Sequence, residues 1–348
     1  MIKTYNIYFD DIFNGINVKY WSKVLLISII IISIISMITL PSLGYANDYG
    51  TATYPRVIIY CIEDYNGKAN DLERLCAAAD TFASTLTSNS SAFVYILQNN
   101  NSRPIYWWTE EIGGTPNVYE HAYQWHYIIF LGHGSPTMIY FGVDDTHKIL
   151  GNVNYVGLAS YWYINGAYYP EVYFHRVTFY SAPKWVTLAS CQTLNLTSSQ
   201  LNDILVNDFE GRGGLSNVYL HGIVGMRSDF LDVVKNLLGW IVYDAAVETM
   251  KDYATRLINN ESIVNAWSNA VLTKQQYSFL GFSFQGHPAA VTLIIQGYDS
   301  NGNLVAQIKY DTEKMYTIGT VYADPNTVIQ SYLDNGWKVV VTWEHIKW

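Results

Sequence analysis

Five short runs of nearly unbroken apolar residues constrain this chain more than any other feature. They are RVIIYCIE (56–63), AFVYIL (92–97), HYIIFLG (126–132), WVTLAS (185–190) and NVYLHGIVG (217–225). A strand with one face in water alternates polar and apolar residues, so runs without alternation predict strands buried on both faces. The first run lies between Pro55 and DYNG, and the segment ANDLERLCAAADTFASTL (69–86) follows it. That segment places Leu72, Leu75, Cys76, Ala79 and Phe82 on one helical face. Strand, helix and strand in this order predict an α/β fold built on a mostly parallel sheet flanked by helices.

Between the third and fourth runs lies a Tyr-rich stretch with hairpin character. TMIYFGV and the turn signal INGAYYP mark it, and it reads as an insertion over one edge of the sheet. Beyond Gly225, helical patterns are predicted from Leu231 to Tyr253 and from Ile263 to Leu272. From HPAAVTLIIQGY to Trp348 strands dominate, with a short helix near Asn326–Leu333. YDSNGNLVAQIKY predicts a hairpin there, its Asn301-Gly302 pair suiting a type I′ turn. The expected organisation is an N-terminal segment (1–46), an α/β domain (55–285) and a β-rich C-terminal region (286–348).

Residues 24–40, VLLISIIIISIISMITL, carry no charge, follow Lys19 and Lys23, and lead to Gly44 and Ala46 in a small-x-small pattern. This is the pattern of a signal peptide or of an N-terminal membrane anchor, and a retained anchor would leave the rest of the chain outside. An extracellular or cell-surface location is therefore expected. The sequons at Asn89, Asn100, Asn195 and Asn260 agree with it as glycosylation acceptors. Of the three cysteines, Cys61 and Cys76 are close enough to pair in an oxidising compartment, which would leave Cys191 free; the alternative is three buried thiols.

Charged residues make up 14% of the chain, against roughly 25% in typical soluble domains. The net charge is −9 and no Lys/Arg cluster interrupts it, which argues against nucleic acid as a partner. The sequence has no H-E-x-x-H, C-x-x-C or EF-hand pattern and no phosphate loop, so neither a metal nor an organic cofactor is expected. His121, His126, His147, His175, His221 and His287 read as ordinary surface or core histidines.

Two other residues stand out by position. In an open parallel sheet, ligands and catalysis lie at the carboxyl ends of the strands, and His133 and Cys191 each fall just past the end of a predicted buried strand. A thiol needs a base to become a nucleophile, and histidine is the usual partner. Glycines on both sides of His133 allow a sharp turn and close approach to a substrate. The backbone N–H groups of Gly134 and Cys191 are candidate oxyanion donors.

IIFLGHGSP and VTLASCQT together resemble the motif pair of the caspase-like cysteine peptidases, which include caspases, gingipains, clostripain, legumain and separase. Their spacing is somewhat wider than the roughly 50 residues of caspases. HGSP, LASCQTL and YLHGIVGMRSDF also resemble a group of bacterial and archaeal proteins expected to share that fold, over about residues 55–285. The resemblance implies a caspase-like fold, with His133 as general base and acid, Cys191 as nucleophile, and Gly134 with Cys191 as the oxyanion hole. Ser190 stands where caspases have alanine, and Thr193 where they have glycine, so caspase specificity does not transfer.

In that superfamily a charged or polar group selects the residue before the cleaved bond. Glu63 and Asp64 after the first strand, and Arg227 and Asp229 after YLHGIVGM, are the candidates; carboxylates would favour a basic substrate residue and Arg227 an acidic one. The expected activity is an exported cysteine endopeptidase acting on polypeptides. The alternative is a surface-displayed binding or structural glycoprotein that keeps the fold without turnover. TLASC also resembles the sortase motif, but the next arginine, Arg212, is far away, and strand-helix alternation does not suit a sortase barrel. No G-x-S-x-G elbow supports a serine nucleophile.

Overall fold

The structure is a computed structural model that describes residues 54–65, 71–103, 106–107, 118–136, 138–142, 161–164, 167–173, 184–198, 220–279, 282–316 and 324–348. The uncharged segment at 24–40 with its cleavage pattern, His147 and His175 lie outside the described residues. Among the described residues no helix is long and apolar enough to cross a membrane. Tyr49–Trp348 forms one compact unit.

The chain enters at β1 (Arg56–Cys61), turns through α1 (Leu75–Ser88) and returns as β2 (Phe93–Gln98) and then β3 (Tyr127–Leu131). Four short strands follow: β4 (Gly134–Ser135), β5 (Met138–Tyr140), β6 (Tyr161–Ile164) and β7 (Ala167–Tyr173). They form a small antiparallel sheet in the order β4-β5-β7-β6, which is the Tyr-rich insertion. The main sheet resumes with β8 (Trp185–Ala189) and β9 (Gly222–Met226). Next come a hairpin of β10 (Val234–Lys235) and β11 (Ile241–Tyr243), helices α2 (Ala245–Ile258) and α3 (Ile263–Lys274), and a second hairpin of β12 (Gln276–Phe279) and β13 (Phe282–Gln285). The described chain ends with β14 (Pro288–Tyr298), β15 (Leu304–Lys309), α4 (Pro325–Asp334) and β16 (Lys338–Lys347).

β1 pairs in parallel with β2 on one side and β3 on the other, β3 with β8, and β8 with β9. β14 then pairs antiparallel with β9. Every residue of β3, β8 and β9 is buried, as unbroken apolar runs require, whereas the edge strand β2 is mostly half-exposed. The first half of β14 faces β9 and its second half faces β15, while β16 runs along its other edge. The β-rich region expected from residue 286 onward therefore completes the central sheet.

Because the chain starts at β1, leaves to β2 on one side and returns to β3 on the other, the strand order reverses between β1 and β3. Such a switch point opens a crevice at the carboxyl ends of the strands. One face of the sheet is covered by α1, α2 and α3, with Phe82, Met250, Tyr253 and Trp267 among the buried contacts. The other carries an aromatic layer in which Tyr60, Trp107, Trp125, Phe130 and Phe141 are fully or almost fully buried. At the amino ends of the strands Glu313 accepts hydrogen bonds from Trp185 Nε1 at 2.6 Å and pairs with His221 Nδ1 at 2.6 Å, all three residues being buried.

Two local expectations are corrected. Residues 231–244 are not the start of a helix: they form the β10/β11 hairpin, and α2 begins only at Ala245. Gly239, at φ +80°, turns the chain, and the Asp244 carboxylate caps the new helix by accepting the Val247 N–H. The turn between β14 and β15 is not type I′, which needs positive φ at both central residues. Only Gly302 has it, at +83°, and the Asp299 carboxylate accepts the N–H groups of Asn301 and Asn303.

Candidate active site

The parallel register of β3 and β8 sets the geometry. Leu131 lies opposite Ala189 in the last pair of that ladder, so His133 and Cys191 each stand two positions beyond it on adjacent strands. Leu131 and Ala189 both belong to the core layer under the helices, and Cys191 packs against that layer, whereas the His133 ring packs on Tyr65 of the opposite, aromatic layer. The two loops touch directly: a Cβ on Gly134 would lie 2.7 Å from Ser190 Oγ and 2.7 Å from Thr193 Cγ2.

The glycines beside His133 act by size and not by conformational freedom, since neither takes a positive φ. A Cβ on Gly132 would fall 2.6 Å from the hydroxyl of Tyr65. That hydroxyl accepts the His133 N–H at 2.8 Å and donates to the Tyr140 carbonyl at 3.2 Å, while the Tyr140 N–H donates to the His133 carbonyl at 3.1 Å. The Tyr65 ring also packs on the imidazole, centroids 4.6 Å apart. Fully buried Tyr65 therefore fixes the histidine loop from the switch-point side.

Cys191 is the free cysteine and is half-buried. The Phe230 N–H donates to its Sγ at 3.3 Å. Burial pushes the thiol pKa up; the Phe230 N–H works against this, the Asp229 and Asp232 carboxylates reinforce it, and the N–H of Cys191 itself opposes it weakly. The balance leaves the thiol protonated at rest, so a nucleophile here needs a proton acceptor at the moment of attack.

Gln192, the next residue, has φ +55°, uncommon for any residue but glycine. It is held there by its N–H, which donates to the Ser228 carbonyl at 2.8 Å, and by its Nε2, which donates to Asp229 at 3.1 Å. The carboxyl end of β2 has a similar device. Asn99, at φ +48°, accepts the N–H groups of Glu63 and Asp64 through its Oδ1 at 2.8 and 3.1 Å. Such left-handed residues concentrate where the surrounding structure dictates a site's geometry.

The four charged candidates separate. The Glu63 carboxylate accepts the Cys76 N–H at 2.8 Å, satisfying one of the open donors at the start of α1. Asp64 is exposed. Asp229 is exposed and acts on the thiol from the Cys191 side of the crevice. Arg227 donates its backbone N–H to the His287 carbonyl at 2.8 Å and acts electrostatically on His345. Cys61 and Cys76 form a disulfide joining the end of β1 to α1, their Cα atoms 5.4 Å apart. Asn89, Asn100, Asn195 and Asn260 are all exposed. His121, His126 and His221 are buried and His287 is exposed.

Two contributors, Tyr65 and Gln192, escaped the sequence reading. Tyr65 lies in the sequence DYNG, where nothing marks a tyrosine as a clamp, and Gln192 follows the cysteine without a motif of its own. No protein-family model matches the chain, and no curated protein matches it.

Proposed function

We propose that this chain is a caspase-like cysteine endopeptidase that uses His133 and Cys191. The observation that carries the reading is the shared register: two adjacent parallel strands end two residues before a histidine and a cysteine, beside the switch point of the sheet. In the reaction the Cys191 Sγ–H proton passes to the imidazole as sulfur bonds to the scissile carbonyl carbon. The oxyanion is met by the N–H groups of Gly134 and Cys191. Collapse breaks the C–N bond, the leaving amine takes the proton from the imidazolium, and water then hydrolyses the thioester. The Asp229 and Asp232 carboxylates both act on the thiol, which favours a substrate with a positive charge before the cleaved bond.

The second reading, a glycoprotein without turnover, draws on Asn195. It is exposed and only four positions beyond Cys191, so a glycan there would crowd the crevice.

Reaction with a small thiol-directed probe separates the two, comparing wild type with Cys191→Ala and His133→Ala. Peptidase function predicts that Cys191 labels faster than a free thiol and that His133→Ala slows it at least about tenfold, the lower part of the range for loss of a general base. Labelling no faster than a free thiol and unchanged by His133→Ala would sink the peptidase reading. Cleavage of a peptide library, with Asp229→Asn as the comparison, reads the charge preference.

A further inference from the structure

The β10/β11 hairpin presents the strongest exposed apolar feature among the described residues. Leu237 is 93% exposed, Leu238 79% and Trp240 73%, and the strand that follows adds Ile241 and Val242. From Asn236 to Tyr243 the sequence NLLGWIVY carries no charge. Large apolar residues standing this far into water, side by side, mark an interaction surface and not ordinary surface scatter.

The backbone of the tip closes on itself. The Asn236 side chain accepts the N–H groups of Leu238 and Trp240 at 3.0 Å each, the Asn236 N–H donates to the Trp240 carbonyl at 2.9 Å, and the Gly239 N–H donates to the Asn236 carbonyl at 2.9 Å. The exposed Asp299 turn between β14 and β15 is closed in the same way, so this closure suits water too. It also permits entry into hydrocarbon, where unmet amides are costly. The side chains favour lipid, with leucines at the apex and Trp240 beside them, while Tyr243 stays on the body of the protein, its hydroxyl donating to the Lys274 carbonyl at 2.9 Å. The base of the hairpin is tied to the body of the protein by the Lys235–Glu73 and Arg74–Asp244 ion pairs.

We propose that this hairpin is a membrane-contacting element whose tip, Leu237, Leu238 and Trp240, inserts into the interface of a lipid bilayer. A narrow convex tip lacks the roughly 800 Å² per partner of a standard protein interface, which disfavours a second copy as the occupant. With a net charge of −9, the attraction is apolar, so neutral lipid suffices and salt has little effect. The proposal is independent of the peptidase reading, and Cys191→Ala is expected to bind vesicles as wild type does.

The test uses residues 49–348, a compact unit with its own core, so that the apolar segment at 24–40 plays no part. Cosedimentation with phosphatidylcholine vesicles compares wild type with the triple variant Leu237→Ser, Leu238→Ser and Trp240→Ser, whose fold is checked by circular dichroism. The expected result is salt-insensitive binding by wild type, weakened at least about tenfold in the variant, which removes three large apolar side chains from the interface. No binding by wild type, or equal binding by a folded variant, overturns the proposal. So does a concentration-dependent dimer that the same substitutions abolish.

Discussion

The backbone of His133 is held by a residue from far away in sequence. Tyr65 is 68 positions from His133, yet its hydroxyl and ring both meet that residue. The placement of His133 and Cys191 just past buried strands was legible because each follows an apolar run. Tyr65 was not, because its partnership exists only once β1 and β3 lie side by side. His345 in β16 gives a second residue-scale consequence. Its imidazole pKa is pulled down to about 4, chiefly by burial and then by Lys347, with a weaker lowering from Arg227 and an opposing hydrogen bond to the Leu194 backbone. A depressed pKa means that the unfolded chain takes up the proton first. This contribution to stability is thus complete above the ordinary value of 6.5 and is lost as pH falls towards 4. Urea midpoints measured between pH 7 and 4 should fall with acid, and His345→Gln should flatten that decline.

At the scale of elements, α1 depends on covalent and polar support at its first turn. Arg74, at its N-cap, has φ +66° and offers no side-chain cap, so the Glu63 carboxylate and the Cys61–Cys76 disulfide hold the helix to β1. The bridge spans 15 positions, and the loop-entropy relation for that length gives about 3 kcal/mol. Cys61→Ala with Cys76→Ala should lower the unfolding free energy by about that amount in denaturant titration, leaving the thiol count at Cys191 alone. The strands and α1 could be read from the sequence because their burial patterns are local. The β10/β11 hairpin could not, because LDVVKNLLGWIVY has apolar spacing that also suits a helix, and exposure of the tip breaks the assumption that apolar residues face inward. The punctuation that decides it, Gly239 and then Asp244 as a helix start, carried less weight than periodicity.

For the whole molecule the decisive strand is β14. It receives β9, β15 and β16, so the C-terminal residues share the hydrogen-bond network of the parallel strands. Nothing in residues 286–348 alone reveals this, since pairing between β9 and β14 joins segments far apart in sequence. Glu313 adds a second tie by accepting from Trp185 and pairing with His221, at the starts of β8 and β9. Residues 49–348 should therefore unfold in one transition, with tryptophan fluorescence and circular dichroism coinciding. Glu313→Ala should destabilise that single transition by about 1 to 3 kcal/mol, as expected when a buried donor, here the Trp185 indole N–H, loses its acceptor. Two separate transitions would instead mean that the C-terminal region folds alone.

The ladder between β3 and β8 also separates two parts of the chain that joins them. The strand ends that precede His133 and Cys191 are set side by side by the β3/β8 pairing, and most of the intervening chain only has to leave one strand and return to the other. Closing a longer loop costs little, about 0.6 kcal/mol for each doubling of its length. The chain beyond β5 can thus lengthen, shorten or change its surface without moving either strand end, whereas β4 and β5, which carry Gly134 and the Tyr140 contacts to His133 and Tyr65, are tied to the histidine loop.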